Sequence, residues 1–273
     1  MTSSDELSAI ADRLMAAQDN ATMLAPMTAR VPDFSVAEAY IVLADIEARR
    51  RAQGWRSVGR KIGFTNRTIW DRYGVWQPMW AHTWAHTVQF AHDGKGTLAL
   101  RSLVQPRIEP EVAFKLKAPL PLTDDPSAVL ACVEWIAPSF EIVQSHFPDW
   151  KFAAADCTAA FGLHGALLVG TPLAVTEANR RALTDALPTF ALALRRGDTV
   201  IDRGVGANVL DSPALALAHL ARVLADQPQF PPLAAGEIVT TGTITDAWPV
   251  VPGQVWSSDY GRLGIDGLTV TFL

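Results

Sequence analysis

Residues 107–111, with the sequence RIEPE, constrain the fold of this chain more than any other segment. They run directly into the apolar residues 112–116, so the whole stretch predicts a β-strand. Because side chains alternate between the two faces of a strand, Glu109 and Glu111 point the same way. Two neighbouring carboxylates repel each other unless a cation lies between them. The segment therefore predicts a carboxylate pair that either faces solvent or holds a cation.

A third carboxylate, Glu141, lies in residues 138–143, another short apolar segment that predicts a strand. Three carboxylates on rigid strands, with positions left for water and substrate, suit an octahedral divalent ion such as Mg²⁺ or Mn²⁺. Spacing alone leaves a second interpretation open. In that interpretation all three carboxylates face solvent, because the E-x-E pattern is common on exposed strands.

The composition indicates a globular protein with a sizeable core. The chain has 273 residues, of which 49% are hydrophobic and 19% are charged. Its net charge of −5 and the absence of a long Lys/Arg run argue against a nucleic-acid partner. The only cysteines, Cys132 and Cys157, form neither a disulfide framework nor a CxxC pair. We therefore expect a reducing, cytoplasmic location.

The sequence shows neither a secretory pattern nor a membrane-spanning pattern. Its first residues are polar and acidic rather than basic and then apolar, so we expect no secretory signal. No segment approaches the roughly 18 apolar residues that a membrane-spanning helix needs. We therefore expect no membrane partner.

Two N-terminal segments predict helices that cover the rest of the chain. Capping boxes of the form S-x-x-E occur at residues 3–6 and 35–38. The first helix extends to about residue 15, and the second ends near Gly54. Lys61 follows in a short predicted strand. A lone strand lysine is usually a surface residue, and that interpretation stays open at this point.

The remaining segments mix strands with helices. Residues 75–92, which include His82, predict a loop. The other predicted elements are a helix from about 126 to 136, a helix over 211–226, strands at 237–243 and 268–272, and a hairpin through 195–198. This mixture predicts an α+β fold. We expect a helical cover with the Lys61 strand over residues 1–75 and a metal-binding core over residues 76–273, joined in one compact unit.

Six motifs occur together in the order found in a known family. They are G-x-K-I-G-x-T at 59–65, E-x-E at 109–111, E-I-V at 141–143, D-W-K at 149–151, the helix at 212–224 and G-E-I-V-x-T-G at 236–242. Over roughly residues 35–272 they resemble the 2-keto-4-pentenoate hydratase and 4-oxalocrotonate decarboxylase branch of the fumarylacetoacetate hydrolase superfamily. The resemblance implies a mixed β-roll core, and it favours metal ligation by Glu109, Glu111 and Glu141.

The resemblance also implies an activity. It predicts an enzyme of aromatic-compound catabolism that uses Mg²⁺ or Mn²⁺ to bind a small 2-oxo acid or its 2-hydroxydienoate enol. A divalent cation stabilises an enolate, so protons can be moved at weakly acidic carbons. We expect a hydratase. The alternatives are a decarboxylase, a C–C hydrolase or tautomerase of the same superfamily, and a non-catalytic partner subunit. We also expect a homo-oligomer. Association with a partner enzyme of the same pathway is a further possibility that the resemblance leaves open.

Roles for further residues are implied by the same motifs. Lys61 would be a charged or proton-transferring group beside the substrate. Asp149 and Lys151 would lie near the metal site. The residues expected to contact the substrate are Gln144, Thr241, Gly242 and Thr243, the last three of which form a turn suited to holding a carboxylate.

The chain departs from typical hydratases at two places. Residues 78–81 read P-M-W-A where hydratases carry an acidic P-D-F-G stretch, so Met79 replaces an Asp. Residues 160–165 read A-F-G-L-H-G where hydratases carry D-N-A-S-S. His82 and His164 are the candidate replacements for the lost polar groups. The motifs for the metal and the 2-oxo acid are therefore intact, whereas those that select the reaction differ.

Overall fold

The computed structural model describes residues 2–273, apart from the side chain of Tyr73. The helices are α1 (Ser4–Asp19), α2 (Val36–Ala52), α3 (Trp70–Tyr73), α4 (Pro126–Ala131), α5 (Ala154–Ala159), α6 (Glu177–Ala186) and α7 (Pro213–Ala225). Short 3₁₀ helices lie at Met27–Ala29, Arg67–Ile69, Pro148–Trp150, Phe161–Leu163, Gly206–Asn208 and Gly261–Leu263.

The strands are β1 (Ser57–Gly63), β2 (Met79–Trp84), β3 (Val88–Phe90), β4 (Lys95–Leu98), β5 (Arg107–Leu116), β6 (Val133–Val143), β7 (His164–Val169), β8 (Leu173–Ala174), β9 (Ala191–Arg196), β10 (Thr199–Val205), β11 (Ile238–Thr240), β12 (Trp248–Pro249), β13 (Val255–Asp259) and β14 (Leu268–Phe272). The hairpin expected through residues 195–198 is present as β9 and β10.

Across residues 2–273 the strands form two mixed sheets. The larger has nine strands in the order β2-β1-β11-β5-β6-β7-β3, with β12 added to β5 and β8 added to β6. The smaller has five strands in the order β10-β9-β13-β14-β4. Strand β1 runs parallel to β11, whereas the long strands β5 and β6 are antiparallel. The predicted α+β fold with a mixed β-roll core is confirmed.

Helices α1 and α2 form the predicted cover. Both begin at the capping boxes seen in the sequence, in which a serine and a glutamate three residues later exchange hydrogen bonds. Their apolar sides, which include Leu14 and Ile46, pack against Phe147 and Phe161. Each such buried side chain contributes about 2 kcal/mol of transfer free energy. The cover therefore supports the loops around residues 147–163.

Two predictions of local structure were wrong. Residues 133–136 belong to β6 rather than to the preceding helix, because Val133 and Ile136 pair with β5. Residues 79–84, expected in a loop, form β2, which pairs with β1 over its full length. Aromatic and β-branched residues suit such a paired strand, but pairing between distant segments is not visible in a local pattern.

The boundary predicted at residue 75 falls between the paired strands β1 and β2. One apolar cluster combines Tyr40 and Ile62 from before this boundary with Trp80 and Phe114 from after it.

Within the described part of the chain, none of the helices has both the length and the apolar character needed to cross a membrane.

The buried carboxylate of Asp156 ties the N-terminal region to α5. One oxygen accepts a hydrogen bond from the Thr28 backbone N–H at 3.0 Å. The other accepts from the Thr28 hydroxyl at 2.7 Å and from the Ala153 N–H at 2.8 Å. These contacts join segments that are distant in the sequence.

We predict that Asp156→Ala lowers the free energy of unfolding by about 3 kcal/mol, because it removes three hydrogen bonds that a buried carboxylate accepts. Urea denaturation measures this change. The exposed Asp198 offers a matched control, and Asp198→Ala should change stability by less than about 0.5 kcal/mol. Equal effects of the two substitutions would contradict the role given to Asp156.

Candidate metal centre and its cleft

Strand register brings Glu109, Glu111 and Glu141 together. Glu109 lies directly opposite Glu141 in the antiparallel pair of β5 and β6, and Glu111 follows two residues later on the same face. One oxygen from each carboxylate lies within 4.8 Å of the others. Glu111 and Glu141 are fully buried and Glu109 is partly buried. The three are therefore not solvent-facing strand residues.

Lys61 supplies a positive charge beside this cluster. Its side chain is buried, and Nζ lies 3.3 Å from Glu141 Oε2. The lysine reaches the carboxylates because β11 alone separates β1 from β5 in the sheet. It is not the surface residue that a lone strand lysine usually is.

The electrostatics of the site follow from burial and from like charges. Burial raises the pKa of Glu109 to about 7, and repulsion from Glu141 adds to the shift. Burial, with repulsion from both neighbours, raises the pKa of Glu111 well above its ordinary value. Burial opposes ionisation of Glu141 too, but Lys61 and His164 outweigh it and lower its pKa.

The pKa of Lys61 is raised as well. Burial acts against its charged form, but attraction to the three carboxylates is stronger. Lys61 therefore stays an ammonium at neutral pH. One positive charge faces three carboxyl groups. When all three are ionised, the site has an excess of negative charge, and it therefore favours either protons or a further cation.

Two buried oxygens of the cluster, Glu111 Oε1 and Glu141 Oε2, are not held by a close hydrogen bond, although the Lys61 ammonium forms an ion pair with Glu141 Oε2. The other oxygen of each group is held in place. Glu111 Oε2 accepts from the Gly242 N–H at 2.7 Å, and Glu141 Oε1 lies 2.7 Å from His164 Nδ1. Hard oxygen donors held in this way are the ligands that divalent cations such as Mg²⁺ and Mn²⁺ prefer. The residues present fit such an ion.

His164 lies at the start of β7 and orients Glu141. Its second ring nitrogen, Nε2, is 2.8 Å from the Thr87 hydroxyl. Gln144 supports the same residue, since its side-chain N–H donates to the His164 carbonyl and its oxygen accepts from the Val104 N–H. Gln144, a predicted substrate contact, is thus buried, and both polar ends of its side chain bond to backbone groups of the chain.

The turn at residues 241–243 lies beside the carboxylates, and its members differ in what they contact. Gly242 has a φ of +99°, and a Cβ there would lie 1.8 Å from the Thr65 hydroxyl, so only glycine fits. The Thr241 hydroxyl donates to the Val112 carbonyl. Thr243 borders the open space next to the site. Of the three, Thr243 borders the cleft, and Gly242 positions Glu111.

A cleft of about 400 Å³, including its open mouth, leads to Glu109 and Lys61. Most of its walls are apolar. The lining residues are Lys61, Gly63, Phe64, Ile69, Glu109, Val143, Trp150, Leu163, Thr243 and Ala247. A small acid entering this cleft would have its polar end at the carboxylate cluster and the remainder among apolar side chains.

Three residues with predicted catalytic roles are not brought to the carboxylates. His82 pairs with Arg60 rather than Lys61, so it lies on the opposite face of the sheet, with Nε2 2.9 Å from Glu47. Asp149 and Lys151 have side chains that are 78% and 83% exposed. Between those two residues, Trp150 lines the cleft instead.

Two residues that the sequence did not indicate also support the site. Thr87 contacts His164, as described above. The Tyr260 hydroxyl donates to the Glu111 carbonyl at 2.7 Å and accepts from the Ser139 N–H at 3.2 Å. Tyr260 therefore fixes the backbone that carries Glu111. Neither residue lies in a motif, and only the folded topology brings them to the site.

Comparison with known proteins places this arrangement in a family. Residues 80–270 match the family model described as fumarylacetoacetate (FAA) hydrolase C-terminal. The chain is 32% identical over 246 residues to a 2-hydroxyhexa-2,4-dienoate hydratase from Comamonas testosteroni, covering 89% of each chain. It is 31% identical over 256 residues to a 2-keto-4-pentenoate hydratase from Paraburkholderia xenovorans, covering 93% of this chain and 91% of the other.

A solved structure gives the same result for the whole fold. A 4-oxalocrotonate decarboxylase from Pseudomonas putida, complexed with magnesium and adipate, superposes with a TM-score of 0.88 at 26% sequence identity. The match covers 100% of this chain and 99% of that one. This chain therefore belongs to the fumarylacetoacetate hydrolase family, in the branch of the 2-keto-4-pentenoate hydratases and 4-oxalocrotonate decarboxylases.

Proposed function

We propose that this protein is a divalent-metal-dependent hydratase, a hydro-lyase that adds water to a small 2-hydroxydienoate or 2-oxo-4-enoate acid in aromatic-compound catabolism. The observation that carries the proposal is the buried carboxylate cluster, with the Lys61 ammonium 3.3 Å from Glu141 at the inner end of a cleft. The two related hydratases, which share about a third of its residues, support the same reaction class.

Glu109, Glu111 and Glu141 are the proposed ligands of the ion, and Mg²⁺ or Mn²⁺ is its proposed identity. The donor set is entirely carboxylate oxygen, which suits both ions. When bound there, a divalent cation supplies Lewis acidity toward the carboxylate and 2-oxo oxygens of the substrate. The related decarboxylase complexed with magnesium supports this choice of ion.

The residues of the chain hold the charges of the reaction in place. Lys61 borders the cleft, so its Nζ can pair with negative charge on the substrate and hold or release a proton there. His164 holds one oxygen of Glu141, and the Gly242 N–H holds one oxygen of Glu111. Since the surrounding walls are apolar, these interactions are stronger than they would be in water.

Decarboxylation is the second candidate, because the decarboxylase structure matches the whole chain. The geometry favours C–C hydrolysis less. Both ring nitrogens of His164 already contact Glu141 and Thr87, and His82 lies on the other face of the sheet. Neither histidine is placed to activate a water molecule in the cleft. A non-catalytic partner subunit would be inert alone and would alter the activity of a partner enzyme.

We predict that metal-stripped protein converts 2-hydroxypenta-2,4-dienoate only after addition of Mg²⁺ or Mn²⁺, with product mass increased by one water. Ultraviolet absorbance follows substrate loss, and mass spectrometry identifies the product. A parallel assay with 4-oxalocrotonate tests for loss of carbon dioxide. Carbon dioxide release without hydration would replace the hydratase proposal with the second candidate, and no turnover of either acid would contradict both.

Lys61→Met tests the part of this mechanism that belongs to the chain alone. The variant should bind the metal and lose on the order of a hundredfold or more in kcat, since a positioned proton-transfer group is missing. Lys117→Met, at an exposed position, is the matched control and should keep full turnover. Unchanged activity of Lys61→Met would remove this lysine from the mechanism.

Metal affinity should rise with pH through about 7. The raised pKa values of Glu109 and Glu111 mean that a metal ion must displace protons, and each proton released makes affinity rise about tenfold per pH unit. For the same reason metal-free protein should lose stability as pH rises from about 4.5 through 7, because its folded state binds more protons than the unfolded chain. Bound metal should remove this loss.

Isothermal titration calorimetry with Mg²⁺ between pH 6 and 8, in buffers of different ionisation enthalpy, measures the affinity and the protons released together. Thermal denaturation with and without the ion measures the stability. An affinity that does not change with pH, without proton release, would contradict the electrostatic account of the carboxylate cluster.

We also propose that the protein is a homo-oligomer. Large apolar side chains are exposed at Trp76 (62%), Phe90 (58%) and Ile41 (51%), and covering them would remove apolar surface from water. Sedimentation velocity should show a species of at least two chains, and a single species with the mass of one chain would contradict the proposal. Co-sedimentation with a decarboxylase of the same pathway tests for a partner enzyme.

A further inference from the structure

The side chain of Gln105 bonds three times to one short segment, residues 145–149. Its amide nitrogen donates to the Ser145 carbonyl at 2.9 Å and to the Phe147 carbonyl at 2.8 Å. Its amide oxygen accepts from the Asp149 backbone N–H at 3.0 Å. Both N–H donors of this amide and its oxygen are therefore in use, and all three partners are backbone groups. Gln105 thus fixes the path of the backbone through this segment.

These contacts join the ends of the two strands that carry the carboxylate cluster. Gln105 lies just before β5, and the segment that it contacts lies just after β6. The ladder between the two strands ends where Arg107 pairs with Val143. Beyond that pair, the Gln105 amide supplies the hydrogen bonds that connect the two chain segments.

The segment continues into an unfavourable backbone conformation. Asp149 and Trp150 are successive residues in the left-handed region, with φ values of +56° and +59°, and Gln105 itself has a φ of +49°. Residues other than glycine rarely adopt this region, because Cβ approaches the backbone too closely. Strain of this kind persists only where surrounding contacts enforce it, and it concentrates at functional sites. The Gln105 contacts are placed to enforce it here.

The strained turn places the Trp150 side chain in the wall of the cleft. The indole N–H donates to the Gln105 carbonyl at 3.1 Å, and the Arg107 guanidinium stacks 4.2 Å from the centre of the indole ring. Both contacts come from residues that lead directly into the strand of Glu109. They therefore set the position of the indole relative to the carboxylate cluster.

We propose that Gln105 is a positioning residue for the substrate cleft, which holds Trp150 in the cleft wall before a substrate binds. The inference rests on the proposed function in one respect, namely that the substrate binds in this cleft. A wall side chain that is already fixed need not be ordered on binding, and ordering one weakens binding by up to about tenfold. Loss of the Gln105 contacts should therefore weaken substrate binding and leave the metal ligands in place.

Two substitutions remove the contacts in different ways. Gln105→Glu keeps the shape of the side chain, but it turns a carboxylate oxygen toward the Ser145 and Phe147 carbonyls in place of the N–H donors. Gln105→Met keeps the length and adds no charge, and it provides the same measurements if Gln105→Glu does not fold. Gln229→Glu is the matched control, because Gln229 is exposed.

Fluorescence quenching by acrylamide reports on the position of Trp150, whose side chain is buried in the wild-type protein. Gln105→Glu and Gln105→Met should increase quenching, and Gln229→Glu should not. The chain has nine tryptophans, so each substitution is repeated in Trp150→Phe protein, where the increase should be absent. Unchanged quenching, or the same increase without Trp150, would overturn the proposal.

Calorimetry with 2-oxopentanoate, an unreactive 2-oxo acid, measures the effect on the cleft. Binding of this acid to Mg²⁺-loaded Gln105→Glu should be about five- to tenfold weaker than to the wild-type protein. The affinity for Mg²⁺ should be unchanged, which separates a positioning role from general damage to the fold. Unchanged affinity for the acid, an equal loss of affinity for Mg²⁺, or no binding of the acid to the wild-type protein would overturn the proposal.

These measurements are independent of turnover, because 2-oxopentanoate has no double bond to hydrate. If the wild-type protein fails to hydrate a dienoate while the Gln105 variants show weaker acid binding and exposed Trp150, the proposed reaction is wrong and the role of Gln105 stands. If hydration occurs and the variants match the wild-type protein, the proposed reaction stands and the role of Gln105 is wrong.

Discussion

Repulsion among three clustered carboxylates, two of them fully buried, is the constraint on which the rest of this structure depends. Glu109 and Glu141 are direct partners in an antiparallel pair, and Glu111 lies two residues away on the same face. The fold offsets this repulsion in part with Lys61. That contact requires β1 to lie one strand away from β5, and the sheet order provides it by inserting β11 between them. The turn that follows β11 then delivers the Gly242 N–H to Glu111. One positive charge does not balance three acidic groups, so the site favours either protons or a further cation.

The cleft beside the carboxylates is bordered by residues with an unfavourable backbone conformation. Phe64, Trp150 and Leu163 border it with left-handed φ angles. Two of these residues lie in the segment 147–163 that packs under the N-terminal helices, where Leu14 and Ile46 contact Phe147 and Phe161. The helical cover therefore packs against the segment that carries Trp150 and Leu163, and it also buries apolar surface of that segment. The cleft therefore combines a charged inner end with a mostly apolar wall.

Much of the site could be predicted from the sequence, because strand alternation and spacing are local. The E-x-E pattern, the capping boxes and the hairpin at 195–198 are all of this kind. The mistaken elements depended on distant partners: β2 forms because β1 pairs with it, and residues 133–136 extend along β5. The D-W-K motif marked the right segment, but Trp150 faces the cleft while Asp149 and Lys151 are exposed. Thr87 and Tyr260 had no local pattern at all.

Anomalous diffraction from crystals grown with Mn²⁺ tests the central claim most directly, because it locates the ion without relying on activity. The account predicts one anomalous peak at the manganese edge within bonding distance of an oxygen from each of Glu109, Glu111 and Glu141. Manganese bound elsewhere in the protein, with no peak at these three carboxylates, would contradict it.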